Sequence, residues 1–424
     1  MFSKRGLIHF WVGLMALLVP VAVHSQALVV LDSVDYLSNI EATDRSIYPS
    51  SHPSIEVAPG RMLPAVYVRG TSPNAKLYFQ NFYYNSFTTT LHILEARYVT
   101  LGNNTHSVSV SPGTQTVSMT GYPDLIEADM AISGLPSGVS GGTLEIKAYM
   151  TLNQAVTIGW TTYPAGTVVW GSSSNFVPVG KLLLTDSTPL GLQTKPWTDL
   201  LTLGCQWAEA ESGPANVLAA LTYDLFWNSG FEYDAMNRVY TVDSSSGTYT
   251  FKLGDWLADH AASGVDTADC LDFAAALSSL SYALGISGDV KKLSSANEEE
   301  FVTNPISGAR LNAKIWSPQT YRRPSFLSHC TFVREGSVYD AAAAHWRNLN
   351  GATYQEPPMG WPLSGYWQTS SSWTSPDASP YNNSQNPAPA KYTWAFLGLV
   401  YGVQFYGESS VSLTSTTLSL TTYN

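Results

Sequence analysis

Residues 266–286 read DTADCLDFAAALSSLSYALGI, and the reading of this stretch decides the second half of the chain. Phe273, Leu277, Leu280 and Leu284 recur at spacings of 4, 3 and 4, the signature of one helical face. Asp266, Thr267 and Asp269 are each able to cap the start, so Cys270 falls in or near the first turn. The positive end of a helix favours a thiolate, which is the nucleophilic form of cysteine. Unpaired N–H groups in that turn also suit the oxyanion that forms when sulfur attacks an acyl carbonyl. The plainer alternative is a small buried apolar side chain.

A cysteine nucleophile needs a base and a group that orients the base. Residues 325–333, SFLSHCTFV, read as a strand, Arg334-Glu335-Gly336-Ser337 as a turn and Val338-Tyr339-Asp340 as a returning strand. The hairpin brings His329 and Asp340 to cross-strand positions where their side chains can meet. Each residue alone reads as structural or solvated; together they read as base and orienting carboxylate. His260 lies in a helical stretch before Cys270, and His345 lacks a carboxylate at hairpin spacing.

These segments resemble the transglutaminase-like superfamily, whose core has a cysteine opening a helix, then a histidine and an aspartate on successive strands. ADCLDFAAALSSLSYALGI matches the family's cysteine motif through Asp269, Cys270 and Leu284-Gly285-Ile286, and HCTFVREGSVYD matches its second and third motifs through His329 and Tyr339-Asp340. The resemblance covers residues 200–346. Ala268 stands where a glycine is common, and Cys330 where an aromatic is common. The resemblance implies a papain-like cysteine enzyme core with Cys270, His329 and Asp340 as catalytic triad. It also implies an upstream aromatic or polar side chain near the oxyanion, with Gln206, Trp207, Trp227 and Trp256 as candidates. Some relatives use calcium; this sequence shows no metal-ligand cluster, and no cofactor is expected.

Working outward, residues 54–190 carry short alternating runs separated by turn sequences such as Ser111-Pro112-Gly113, Pro136-Ser137-Gly138, Gly141-Gly142 and Pro164-Ala165-Gly166. They predict an all-β sandwich without a catalytic constellation. The polar Pro- and Gly-containing stretch 185–195 marks a boundary, after which Val217, Leu218, Leu221 and Leu225 take helical spacings. The fold class expected is α+β: an N-terminal all-β sandwich followed by a transglutaminase-like (papain-like) α+β domain over residues 191–424. Within the latter, residues 356–390 are crowded with Pro, Ser, Asn, Trp and Tyr and read as a long loop. Residues 392–405 read as a buried strand or helix, and 409–423 have strand propensity.

The length of 424 residues suits two domains. Hydrophobic residues at 44% supply a core, while charged residues at 12% leave the surface polar but sparsely charged. A net charge of −11 without Lys/Arg clusters argues against a nucleic-acid partner. Residues 1–27 have a basic start at Lys4-Arg5, an apolar run from Leu7 to Val23 and small residues at Ser25 and Ala27, the pattern of a secretory signal. Residues 28–53 read as an extension. No later run is apolar and long enough to span a membrane, so a secreted or periplasmic protein is expected.

The chain has three cysteines. In an oxidising compartment Cys205 and Cys330 can pair, leaving Cys270 free. Asn103-Asn104-Thr105 and Asn382-Asn383-Ser384 match glycosylation sequons. Two functions compete. One is acyl transfer from amide bonds of a protein or peptide substrate, with hydrolysis favoured over amine crosslinking because water is abundant. The other is an inactive binding or scaffold protein that uses Trp361, Tyr366, Trp367 and Trp373.

Overall fold

The computed structural model describes residues 28–37, 55–56, 64–190 apart from 123, 197–309 apart from 235–236, 244–247, 263–265, 296–300 and 303–305, then 325–326, 328–349, 352–357, 359–362, 367–369, 396–398 and 413–423. The expected signal, residues 1–27, lies outside the described residues, as do Asn382-Asn383-Ser384, Tyr366 and Trp373. Strand exceeds helix, 51% to 19%, and the two are segregated along the chain, as in an α+β protein.

The N-terminal half forms one sheet of eleven strands. Its long members are β1 (Val29–Leu37), β2 (Asn74–Asn81), β3 (Phe87–Thr100), β4 (Thr105–Ser111), β5 (Leu125–Ser133), β6 (Ser140–Leu152) and β7 (Val177–Thr185). They are hydrogen-bonded in the order β1-β2-β5-β4-β3-β6-β7, each antiparallel to its neighbour. Inward residues alternate with outward ones, because successive strand side chains point to opposite faces. Ala75, Leu77 and Phe79 of β2 and Leu144, Ile146, Ala148 and Met150 of β6 are buried in one shared cluster.

Two sequence expectations change here. The sequence predicts an extension over residues 28–37; instead they form β1, which pairs with β2 along its length and turns Val29 and Leu31, then after a bulge Val34 and Tyr36, inward. Gly141-Gly142 was read as a turn but lies inside β6; a Cβ on Gly142 would stand 2.4 Å from the Val99 carbonyl oxygen, so the glycine permits close strand approach.

The C-terminal half opens with helices α1 (Thr198–Trp207) and α2 (Pro214–Asn228), followed by the short strand β8 (Phe231–Tyr233) and by β9 (Thr248–Lys252). Next come α3 (Leu253–Ala261), β10 (Asp266–Ala268) and α4 (Cys270–Ala283). Strands β11 (Asp289–Ser295), β12 (Ser328–Arg334), β13 (Ser337–Tyr339), β14 (Met359–Pro362) and β15 (Leu413–Tyr423) complete the framework. A seven-stranded sheet runs from Thr241–Asp243 through β9-β15-β11-β12-β13-β14. The segment read as a long loop thus contributes β14, which among the described residues pairs with β13 alone; Pro362 is tolerated there because an edge strand need not donate on both sides. Trp367–Thr369 pairs with Phe396–Gly398 in a small sheet of its own. Among the described residues no helix is long and apolar enough to cross a membrane.

Helix α4 is the centre of this half. Every residue from Cys270 to Ser281 is buried, as is Ala283, so the helix is enclosed on all sides rather than along the one face its leucines predict. Its Ala and Ser positions keep it slim enough for α1, α2 and β12 to pack around it. The buried hydroxyls are satisfied locally, Ser279 donating to the Ala275 carbonyl and Ser281 to that of Ser278.

Both ends of α4 are fixed. At the C-terminus, Ile286 N donates to Ser281 O and Gly285 N to Tyr282 O, a Schellman closure with Gly285 at φ +82°. The boundary stretch is docked here: Ser187 N donates to Leu284 O and Leu190 N to Tyr282 O. At the N-terminus the Asp269 carboxylate accepts from Leu271 N and Asp272 N, and Asp272 accepts in return from Asp269 N.

Candidate active site

Cys270 is the first residue of α4, held there by the Asp269 cap. The cap is itself braced: Arg238 Nε lies 2.7 Å from Asp269 Oδ2, and Val239 N and Tyr240 N donate to the Asp272 carboxylate. Burial first, then the Asp269 charge, raise the Asp272 carboxyl.

This bracing narrows the expected oxyanion site. The N–H groups of Leu271 and Asp272 are taken by Asp269, and Phe273 N donates to the Asp269 carbonyl. The first-turn donor that these contacts leave over is the Cys270 N–H.

His329 and Asp340 are brought together as the hairpin predicts: His329 Nε2 lies 2.9 Å from Asp340 Oδ2, and both side chains are buried. The register pairs Phe332 with Tyr339. Carried further, it would set His329 opposite Ala342, so Asp340 is a diagonal neighbour on the same face rather than a directly opposed one. The other carboxylate oxygen, Oδ1, accepts from Ala342 N and Ala343 N, which fixes the orientation of the acid.

The third member joins them. Cys270 and His329 are close enough that each shifts the other's protonation. An imidazole has two ring nitrogens; with Nε2 on Asp340, Nδ1 is the one that the sulfur can use. Burial pushes the His329 imidazolium down, but Asp340 and Cys270 outweigh it and carry its pKa up to about 10. The Cys270 thiol is pushed up by its hydrogen bond with Cys330 and by burial, against the pull of His329. The thiolate expected from the helix end is therefore opposed: desolvation and a second thiol outweigh a helix end whose N–H groups are already capped.

Cys330 does not pair with Cys205. All three cysteines are free and buried, and Cys205 Sγ donates to Leu184 O at 3.7 Å where α1 meets β7.

Three of the four upstream oxyanion candidates face solvent or pack on other side chains. Gln206 is exposed on α1, Trp207 packs edge-on to His260, and Trp256 stacks between Phe231 and His260. Trp227 is packed by Phe226 and Tyr223 of its own helix, and its buried Nε1 has no partner among the described residues. His260 itself is structural, its Nδ1 2.6 Å from Ser229 O. The side chains of His345 and Trp361 lie outside the described residues.

The residue that does reach the site is Tyr233. Strand β8 runs parallel to β10, pairing Tyr233 with Ala268, two positions before Cys270. Burial, and then the charges of Cys270, Asp340, Asp269 and Cys330, hold its phenol well above the ordinary value, so it stays protonated and is a donor. Among the described residues nothing pairs with its buried hydroxyl. The sequence carries no signal for it, because a three-residue parallel pair has neither turn nor periodicity to mark it.

No protein-family model matches this chain, and no curated protein matches it in sequence. Among the described residues no group of three or more His, Cys, Asp and Glu side chains is placed to hold a metal ion.

Proposed function

We propose that the protein is a secreted, transglutaminase-like cysteine enzyme that acts on amide bonds of a protein or peptide by acyl transfer. The observation that carries this reading is the buried His329–Asp340 pair, with His329 on a strand that packs against the helix whose first residue is Cys270. In the form of the pair that carries one proton, the Cys270 thiolate attacks the carbonyl carbon while His329 holds that proton as imidazolium, and His329 delivers it to the leaving amine. Asp340 holds the ring by Nε2 and stabilises the imidazolium. The Cys270 N–H and the Tyr233 hydroxyl are the donors for the oxyanion. Water accepts the acyl group and makes the reaction hydrolysis. The N-terminal half serves as a sandwich-like structural or ligand-presenting module.

A second reading, an inactive binding or scaffold protein, draws on the burial of His329 at 0% exposure and of Cys270 at 7%. Iodoacetamide labelling of Cys270 against pH, in wild type and His329→Ala, separates the two. Labelling that needs His329 supports the enzyme; slow labelling indifferent to His329 supports the binder.

A further inference from the structure

One end of the N-terminal sheet displays aromatic rings to solvent. Residues 82–86 join β2 to β3, residues 120–124 lead into β5, and beyond β6 the chain forms a short hairpin, Val156–Ile158 paired with Thr161–Tyr163. Phe82, Tyr84, Tyr122, Leu125 and Trp160 are exposed on these segments, Tyr84 at 82% and Trp160 completely. Single exposed apolar side chains are ordinary, but a cluster of them marks a binding face. The Tyr84 and Tyr122 rings meet edge to face with centroids 6.0 Å apart. The segments are also held together. Asn81, wholly buried, donates through Nδ2 to Asn85 O and Thr120 O and accepts from Tyr83 N at Oδ1. Tyr122 N donates to Tyr83 O, and Asn85 Nδ2 donates to Thr157 O, which ties the hairpin that carries Trp160 to the loop that carries Tyr84. A buried amide whose donor and acceptor are both spent on these loops fixes the display in advance, so a ligand has little chain left to order.

The chemistry between the rings selects the partner. Residues 82–86, 120–125 and 153–167 contain no Lys, Arg, His or Glu, and Asp124 is their single charge. An anionic polymer or an anionic bilayer therefore finds no cation to meet, and one exposed carboxylate is too weak to hold a polycation. Exposed Asn85, Asn153, Gln154, Thr157, Thr161 and Thr162 lie among the rings instead. An uncharged bilayer would strip water from these amides and hydroxyls and return no hydrogen bonds. A sugar returns them, because its hydroxyls both donate and accept, and its C–H faces lie against the electron-rich face of an aromatic ring. We propose that this end of the N-terminal half binds an uncharged polysaccharide, with Tyr84, Tyr122 and Trp160 as the stacking rings and the neighbouring amides and hydroxyls as hydrogen-bond partners. The site is separate from Cys270 and does not depend on the acyl-transfer reading.

The test is native electrophoresis of the whole protein in gels that contain hydroxyethylcellulose, xylan, glucomannan, laminarin, glycol chitin or soluble starch, for wild type, Tyr84→Ala, Trp160→Ala, the double variant and Tyr223→Ala. Wild type should be retarded by at least one of these polymers. Each patch substitution should weaken that retardation by about tenfold, the worth of one lost ring contact, and the double variant should migrate as in a plain gel. Tyr223→Ala removes an exposed ring from α2 in the other half and should behave as wild type. Thermal unfolding should be the same in all five proteins, because the altered side chains are exposed, so a lost interaction is not lost folding. Unretarded migration of wild type in every gel overturns the proposal, as does retardation that survives in the double variant. Two further outcomes overturn it in favour of another partner: sedimentation with phosphatidylcholine vesicles that the double variant loses, which would make the rings a membrane anchor, or a dimer in sedimentation velocity that Trp160→Ala dissociates, which would make them an interface between copies of the chain.

Discussion

His329 Nε2 and Asp340 Oδ2 lie 2.9 Å apart with 0% and 1% of their side chains exposed, so a carboxylate held by two backbone N–H groups faces an imidazole that cannot reach water. This pair links the fold to pH. His329 is raised from the usual 6.5 to about 10 in the folded protein. A raised group contributes stability that is fully present below the unfolded pKa and is lost as pH climbs through the folded one. The excess stability of wild type over His329→Gln should therefore be largest near pH 6 and shrink between about 6.5 and 10. For so buried a pair the change is on the order of several kcal/mol at most. Urea unfolding of both proteins across that range measures it; a constant difference would show that the pair is not coupled to a proton.

Asp340→Asn should act on Cys270 at a distance. Without the carboxylate, burial governs His329 and the ring is neutral at pH 7. The thiol then loses the cation that pulls it down, while Cys330 and burial still push it up. Cys270 labelling at neutral pH should fall by about tenfold relative to wild type, and wild-type labelling itself should keep climbing through the alkaline range. Equal rates in the two proteins would remove Asp340 from the site.

Tyr233→Phe separates catalysis from folding. The phenol oxygen is buried with no partner among the described residues, so deleting it should leave stability unchanged or slightly raised. An oxyanion donor, by contrast, contributes only when charge develops on the substrate, and its loss should lower kcat by about 10²-fold with little change in KM. Chemical denaturation beside steady-state kinetics checks both arms; a fall in stability with unchanged kcat would make Tyr233 a packing residue.

What the sequence made legible follows from how local each signal is. The helix after Cys270 and the hairpin joining His329 to Asp340 are specified by residues within one turn or one strand of each other, and both are found where the pattern places them. Tyr233 and the β1 pairing depend on partners 35 or more residues away, or on a strand that the alternation shows but does not seat. The thiolate expectation failed for a related reason: a helix end is visible in sequence, whereas the Asp269–Arg238 brace that occupies it and the burial that opposes it are tertiary.

Asp269→Ala tests that brace. The substitution removes two caps on α4 and the partner of Arg238, and should destabilise the protein by about 1–2 kcal/mol, the usual worth of an N-cap. It also frees the Leu271 and Asp272 N–H groups beside the sulfur, which should ease deprotonation of Cys270 and raise its labelling rate at neutral pH. A loss of stability with no rise in labelling would mean that burial and Cys330 alone set the thiol.

The other end of α4 gives the last test, Gly285→Ala. Gly285 has φ +82°, where a side chain is strained, and an added Cβ would stand 2.5 Å from the carbonyl carbon of Ser187. Strain at positive φ costs roughly 1 kcal/mol, and the clash adds to it because the obstacle is backbone that cannot rotate aside. Relief requires residues 187–190 to leave the end of α4, breaking the bonds of Ser187 N to Leu284 O and Leu190 N to Tyr282 O. The expected result is a fall of about 2–3 kcal/mol in unfolding free energy, together with faster hydrogen exchange at Ser187 and Leu190 while Leu271 and Asp272, at the capped end of the same helix, stay protected. Exchange that rises equally at both ends would mean that α4 unfolds as a single unit, and that its two caps do not act independently.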